Sequence, residues 1–213
     1  MFALLSPKVR QTSIAMLAML ICGSLSSCSN NSVPEEVPES FRVLFETTKG
    51  NFTLQVNRQW SPSGAERFFE LVKSGFYNDC RFFRVLPGFI VQWGINGDPK
   101  VQRNWVNAYL PDDPVRVSNH RGTISFAKGG PNSRTTQVFI NLADNSRLDE
   151  SGFSPFGQVI EGLDVVEKLY SSYGEGAPKG SGPRQDMIQL EGNEYLTREF
   201  SQLDYIKKAT FVQ

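Results

Sequence analysis

Histidine and cysteine are scarce in this chain of 213 residues, which has one histidine and three cysteines. One histidine and, as argued below, one thiol in the mature region cannot build a usual zinc site. His120, in Ser118-Asn119-His120-Arg121-Gly122 at a strand start, reads as a surface residue. No G-x-S-x-G elbow occurs, which removes the usual serine hydrolase. The glycine-rich run 174–182 has neither dinucleotide-binding nor phosphate-loop spacing and reads as a long flexible turn. Charge of one sign is missing too: Lys and Arg number 22, as do Asp and Glu. With no basic stripe, nothing points to nucleic acid. There is no long hydrophobic run either. The longest, residues 13–25, has 13 residues, short of the roughly 20 that a spanning helix needs.

That short run sits behind Lys8 and Arg10 and reads as the apolar part of a secretion signal over residues 1–27. It ends in Leu25-Ser26-Ser27-Cys28, which resembles a bacterial lipobox. Cys28 would then be acylated, become the mature N-terminus and anchor the protein through several acyl chains. Cys22 lies inside the signal, so Cys80 is left alone and no internal disulfide can form. Residues 28–40, with Pro34, Pro38, Glu35, Glu36 and Glu39, read as a polar tether. The expectation is an extracytoplasmic, membrane-anchored lipoprotein. Ser29 lacks the acidic character associated with inner-membrane retention, which favours the outer membrane. Residues 41–213 are enough for one domain with a sizeable core.

Within that domain, residues 41–47 and 51–56 read as paired strands, with Phe52, Leu54 and Val56 alternating. Ser61-Pro62 opens a helix, with either Ser61 or a Ser63–Glu66 capping box at its start. Ala65, Phe68, Phe69 and Val72 give that helix one apolar face. Runs 82–86, 89–93, 122–127, 138–142 and 156–160 read as further strands. Leu163, Val166, Leu169 and Tyr170 form a second helical pattern. Residues 194–200 suggest a short extra helix and 205–212 a closing strand. Many short strands, two main helices and no βαβ alternation predict an all-β fold: a closed antiparallel sheet with helices over its open ends.

The chemistry concentrates in two segments. In Phe82-Phe83-Arg84-Val85-Leu86-Pro87-Gly88-Phe89-Ile90-Val91-Gln92, an arginine stands on a strand whose alternate neighbours, Phe82 and Leu86, are large and apolar. A guanidinium there is paired or lines a pocket. Gln92, and Gln137 in Gln137-Val138-Phe139-Ile140, sit in apolar strands where each amide needs a partner. Phe89 and Phe139 are read either as pocket or as ordinary core. The set describes an apolar pocket with fixed polar groups and no acid, base or nucleophile.

These segments, with Gly122-Thr123-Ile124-Ser125-Phe126-Ala127, Gly130-Pro131-Asn132, Leu148-Asp149 and Phe156-Gly157, resemble the signature of cyclophilin-type peptidyl-prolyl isomerases. The resemblance covers about residues 41–173 and the last strand. It implies an eight-stranded closed antiparallel barrel capped by two helices. It also implies a monomeric peptidyl-prolyl cis-trans isomerase that needs no cofactor, takes proline-containing polypeptides and assists the folding of exported chains. By motif position, Arg84 would be the catalytic arginine. Phe89, Ile90, Phe139 and Leu148 would form the proline pocket, Gln92 and Gln137 would orient arginine or substrate, and Ala127, Lys128 and Gly129 would be the backbone rail for the peptide. The chain departs from the animal pattern at Phe83, at Arg147 and around Phe153-Ser154, so the resemblance implies weak cyclosporin binding. The region 174–203 is longer than the family minimum. The rival reading is a tethered module or chaperone that holds proline segments with little turnover; Arg84 favours the enzyme.

Overall fold

The computed structural model describes residues 1–3 and 36–213. The signal, Cys28 and most of the tether lie outside the described residues. The described elements, in chain order, are β1 (Ser40–Thr47), β2 (Asn51–Asn57), α1 (Pro62–Lys73), β3 (Arg84–Leu86), β4 (Ile90–Trp93), α2 (Pro99–Arg103), β5 (Thr123–Phe126), β6 (Val138–Asn141), α3 (Arg147–Glu150), β7 (Pro155–Glu161), α4 (Leu163–Glu167), α5 (Gln185–Glu191), α6 (Asn193–Glu199) and β8 (Ile206–Val212). None of these helices is long and apolar enough to cross a membrane.

All eight strands join one antiparallel sheet, ordered β3-β4-β6-β5-β7-β2-β1-β8. The sheet curls around a core of alternating inward residues, among them Val43, Phe45, Leu54, Val91, Trp93, Ile124, Phe126 and Ile140. Phe45 and Phe52, opposite each other in the β1–β2 ladder, stack at 4.9 Å. The sheet is open, which corrects the expected closed barrel. Its edge strands β3 and β8 share no ladder. Their approaches are joined by a bridge from Arg81 to Tyr205 and by backbone bonds from the Phe82 N–H to the Asp204 carbonyl, 3.0 Å, from the Asp79 N–H to the Ile206 carbonyl, 2.7 Å, and from the Ile206 N–H to the Cys80 carbonyl, 3.0 Å.

The helix α1 lays Ala65, Phe68, Phe69 and Val72 on the core, as its periodicity requires. Its cap differs from the sequence expectation. Ser61 is the N-cap residue but does not cap with its side chain. Its hydroxyl donates instead to Asp113, 2.5 Å, and the Asp113 carboxylate accepts the Ser63 and Gly64 amides at 3.3 and 3.0 Å. The Ser63–Glu66 box does not form, because Glu66 pairs with Arg58. Asp113 is held by buried Arg134, 3.0 Å away. The second helical pattern yields only α4. Beyond it, Lys168 and Leu169 donate to residues three back, so the turn tightens and stops. Val166 and Leu169 are still buried as expected.

Residues 174–203 build a second, smaller core. Ile188, Tyr195, Leu196 and Phe200 close over Phe83 and Ile95. The glycine-rich run is not an open turn. Gly176 and Gly182 bridge, and the Gly182 amide donates to the Glu175 carbonyl at 2.8 Å. A Cβ at Gly182 would stand 2.9 Å from that same oxygen, so only glycine permits the approach.

Candidate active site

Arg84 owes its place to a turn. The Phe89 N–H donates to the Leu86 carbonyl at 3.0 Å, with Pro87 at the second position and Gly88 at φ +71°. The turn sets the β3–β4 register, and Arg84 faces Gln92. Gln92 in turn faces Phe139 on β6, which faces Ser125 on β5. Directly opposed residues share a face of the sheet. Arg84, Gln92, Phe139 and Ser125 are therefore one row on the outer face, while Val85, Val91, Ile140 and Phe126 point into the core. The alternation argument from Phe82 does not hold, because Phe82 lies outside β3 and packs in the core. Arg84 is nonetheless paired.

The Arg84 Nη1 donates to Gln92 Oε1 at 3.0 Å, and the Gln92 amide donates to Gln137 Oε1 at 2.8 Å. Gln137 passes the chain to Gln185 at 3.2 Å. On its other edge, Arg84 donates from Nε and Nη2 to the two oxygens of Glu175, at 2.8 and 2.7 Å. The hydrogen bond from Arg84 holds the Glu175 carboxyl below the ordinary glutamate range, against a smaller upward push from burial. Beside this pair, a cavity of about 320 Å³ is lined by Phe83, Arg84, Glu175, Pro178, Lys179 and Asp186, among others.

Of the expected pocket residues, Ile90 and Phe139 are buried yet belong to neither core. Their burial away from both cores marks an apolar patch on the outer face. Phe139 meets Phe153 edge-on at 5.6 Å. The Phe89 ring is half-buried, with the Arg84 and Arg147 guanidinium carbons at 5.7 and 5.1 Å from its centre. Leu148, on α3, is also half-buried. None of these four residues lines the cavity beside Glu175. The Ala127 amide donates to the Gln137 carbonyl at 2.9 Å, which ties the segment of Ala127, Lys128 and Gly129 to the glutamine chain. Lys128 does not face outward freely. It pairs with Asp112 at 2.8 Å and lies over Phe153.

Several residues that shape this face escaped the sequence reading. Asn145 donates to the Phe89 carbonyl and to Asn141 Oδ1, both at 2.9 Å. Ser125 donates to Asn119 Oδ1 at 2.9 Å, and Asn119 donates to Asp149 at 2.7 Å and to the Phe153 carbonyl at 2.8 Å. Burial alone would raise the Asp149 carboxyl, but hydrogen bonds from Ser118 and Asn119 hold it below its usual range. A signal was present in Asn141 at the end of an apolar strand, since a buried amide needs partners. No pattern pointed to Glu175 or Gln185. Among the described residues, no group of three or more His, Cys, Asp or Glu converges as metal ligands would. His120 is exposed, 3.6 Å from Asp144.

Comparison with known proteins gives one answer. The family model described as cyclophilin type peptidyl-prolyl cis-trans isomerase/CLD matches residues 42–190. Peptidyl-prolyl cis-trans isomerase A of Dickeya dadantii is 38% identical over 135 residues, which is 61% of this chain and 71% of that one. Peptidyl-prolyl cis-trans isomerase B of Escherichia coli is 30% identical over 156 residues, 68% of this chain and 94% of that one. A crystal structure of a cyclophilin type isomerase from Cryptosporidium parvum superposes with a TM-score of 0.60 at 22% identity, covering 82% of this chain and 98% of that one.

Proposed function

The chain belongs to the cyclophilin-type peptidyl-prolyl cis-trans isomerase family and is an isomerase of Xaa-Pro bonds, and from that premise we propose that Arg84 is its catalytic donor. Rotation about a peptide C–N bond faces a barrier of about 18–20 kcal/mol from resonance. In the twisted state that resonance is broken, and the prolyl nitrogen is pyramidal with a lone pair. An N–H of Arg84 donates to that lone pair more strongly in the twisted state than in either planar isomer, which is the condition for acceleration. Phe89, Ile90, Phe139 and Leu148 hold the proline ring. Gln92 and Gln137 orient the guanidinium, and Ala127, Lys128 and Gly129 line up the peptide. No proton moves, so no general base is required. The observation that carries this reading is the placing of Arg84 and Gln92 in one cross-strand row with Phe139, an apolar residue buried outside both cores.

The test is Arg84→Ala in a protease-coupled assay on a short Ala-Pro peptide. The rate is expected to fall at least tenfold, about 1.4 kcal/mol of barrier, with the melting temperature kept. Full activity in a folded variant sinks the assignment. Peptide binding by the unaltered protein without acceleration would favour the rival, a binder with little turnover.

We further propose that the clients are exported chains and that Cys28 is acylated, fixing a monomeric domain to a membrane on its extracytoplasmic side. The signal-like residues 1–27, the lipobox-like Leu25-Ser26-Ser27-Cys28 and the polar tether support this. Exported chains also wait on slow prolines where they fold. Cys28→Ser is expected to leave the isomerase active but shift it out of the membrane fraction. An unmodified Cys28, found by mass spectrometry in a wholly soluble protein, overturns the anchor and leaves the enzyme untouched.

A further inference from the structure

We propose that Glu175 is a positioning residue for Arg84 and that the region 174–203 is a second wall of the active site. The inference rests on Arg84 being the catalytic donor. A guanidinium has five N–H donors in one plane. Glu175 takes two of them, at Nε and Nη2, and Gln92 takes one at Nη1. One donor is left on each terminal nitrogen. The plane is held from two sides, and two donors are left for the substrate. A two-pronged arginine–carboxylate pair fixes orientation as well as distance. Half-buried side chains, at 20% and 32% exposure, keep that geometry without removing the charge from water entirely.

The loop can hold Glu175 in place because it is fastened elsewhere. Its own backbone packs on itself at Gly176, Gly180 and Gly182. Downstream, α5 and α6 seal Phe83 under Ile188, Tyr195 and Leu196. Asn193 donates to the Asp79 carbonyl at 2.9 Å, and its amide N–H donates to the Gly97 carbonyl at 2.9 Å. The same region delivers Gln185 to Gln137. Phe83 and Arg84 are adjacent, so the residue that anchors the region stands next to the one it orients. Orientation of this kind lowers the barrier without adding ground-state affinity.

The experiment compares the unaltered protein, Glu175→Gln and Arg84→Ala. Glutamine keeps the size of the side chain, but its NH₂ group faces a donor and one prong is lost. The expected result is a kcat about tenfold lower with KM within twofold and an unchanged melting temperature. In nitrogen-15 spectra, the Arg84 Nε–H is expected to exchange slowly with water in the unaltered protein and rapidly in Glu175→Gln. Unchanged kcat, or a rise in kcat/KM, overturns the inference, and a rise would mean that the carboxylate obstructs the substrate. Should Glu175→Gln not fold, the unaltered protein decides alone, since a rapidly exchanging Nε–H in it also overturns the inference. If Arg84→Ala is fully active, the reading of Arg84 fails, and this inference fails with it. An inactive Arg84→Ala beside an unimpaired Glu175→Gln rejects only the role of Glu175.

Discussion

The guanidinium of Arg84 and the amides of Gln92, Gln137 and Gln185 form a hydrogen-bonded chain along the outer face of the sheet. Each polar group has a partner, and each partner restricts the next rotamer. The same logic governs the buried asparagines. Asn145 fixes the Phe89 carbonyl, and the Leu142 N–H donates to that oxygen as well, at 2.8 Å. Removing Asn145 leaves buried acceptors with fewer donors. Asn145→Ala is therefore expected to cost about 1–3 kcal/mol of stability, read as a fall in the calorimetric melting temperature. KM for a proline peptide is expected to rise more than kcat falls, because the loss loosens a wall that touches the ground state. A variant with unaltered stability would show that Asn145 does not hold this wall.

At the scale of elements, α1 depends on a residue about fifty positions away in the chain. Asp113 accepts two amides of the first turn and the Ser61 hydroxyl, and it neutralises Arg134, whose side chain is 3% exposed. Asp113→Ala strips the helix of its cap and leaves Arg134 with Asp112 at 3.4 Å. The expected cost is about 3 kcal/mol, the low end for breaking a buried pair, measured by denaturant unfolding. Burial by itself would raise the Asp113 carboxyl, but the bonds from Ser61 and Gly64 and the charge of Arg134 bring it below the ordinary range. A carboxyl with a folded-state pKa below its unfolded value stabilises the fold above the unfolded pKa, about 3.9. That contribution is lost as pH falls through the lowered folded pKa. The Asp113→Ala penalty should therefore shrink below about pH 4. A penalty that is the same at pH 7 and pH 3 would refute the linkage.

Over the whole molecule, the larger core explains how the domain dispenses with a disulfide. Cys80 is fully buried in it, and burial, with a smaller push from Asp79, raises its thiol well above the usual range. Reaching its sulfur means opening the region where the Ile206 N–H donates to the Cys80 carbonyl at 3.0 Å. Alkylation mapped by mass spectrometry is expected to miss Cys80 in the native protein and to complete in guanidinium. Ready alkylation under native conditions would mean that this part of the core opens on its own.

The sequence by itself determined the strands, the apolar face of α1 and the identity of the arginine and glutamine pair. Each is a local matter: side-chain period, a proline-glycine turn, a polar residue that cannot stand unpartnered among phenylalanines. Only the tertiary structure decided that the sheet stays open, because closure depends on whether two distant edges can form a ladder. It alone assigned Asp113 as the cap of α1, since a cap from another segment leaves no mark at Ser61 or Ser63. It alone separated Ile90 and Phe139 from the core, since strand alternation does not say which face is covered. It also turned the glycine-rich run from a turn into the arm that carries Glu175. A carboxylate 91 positions from its arginine shows no spacing to read, because chain folding and not chain order makes them neighbours.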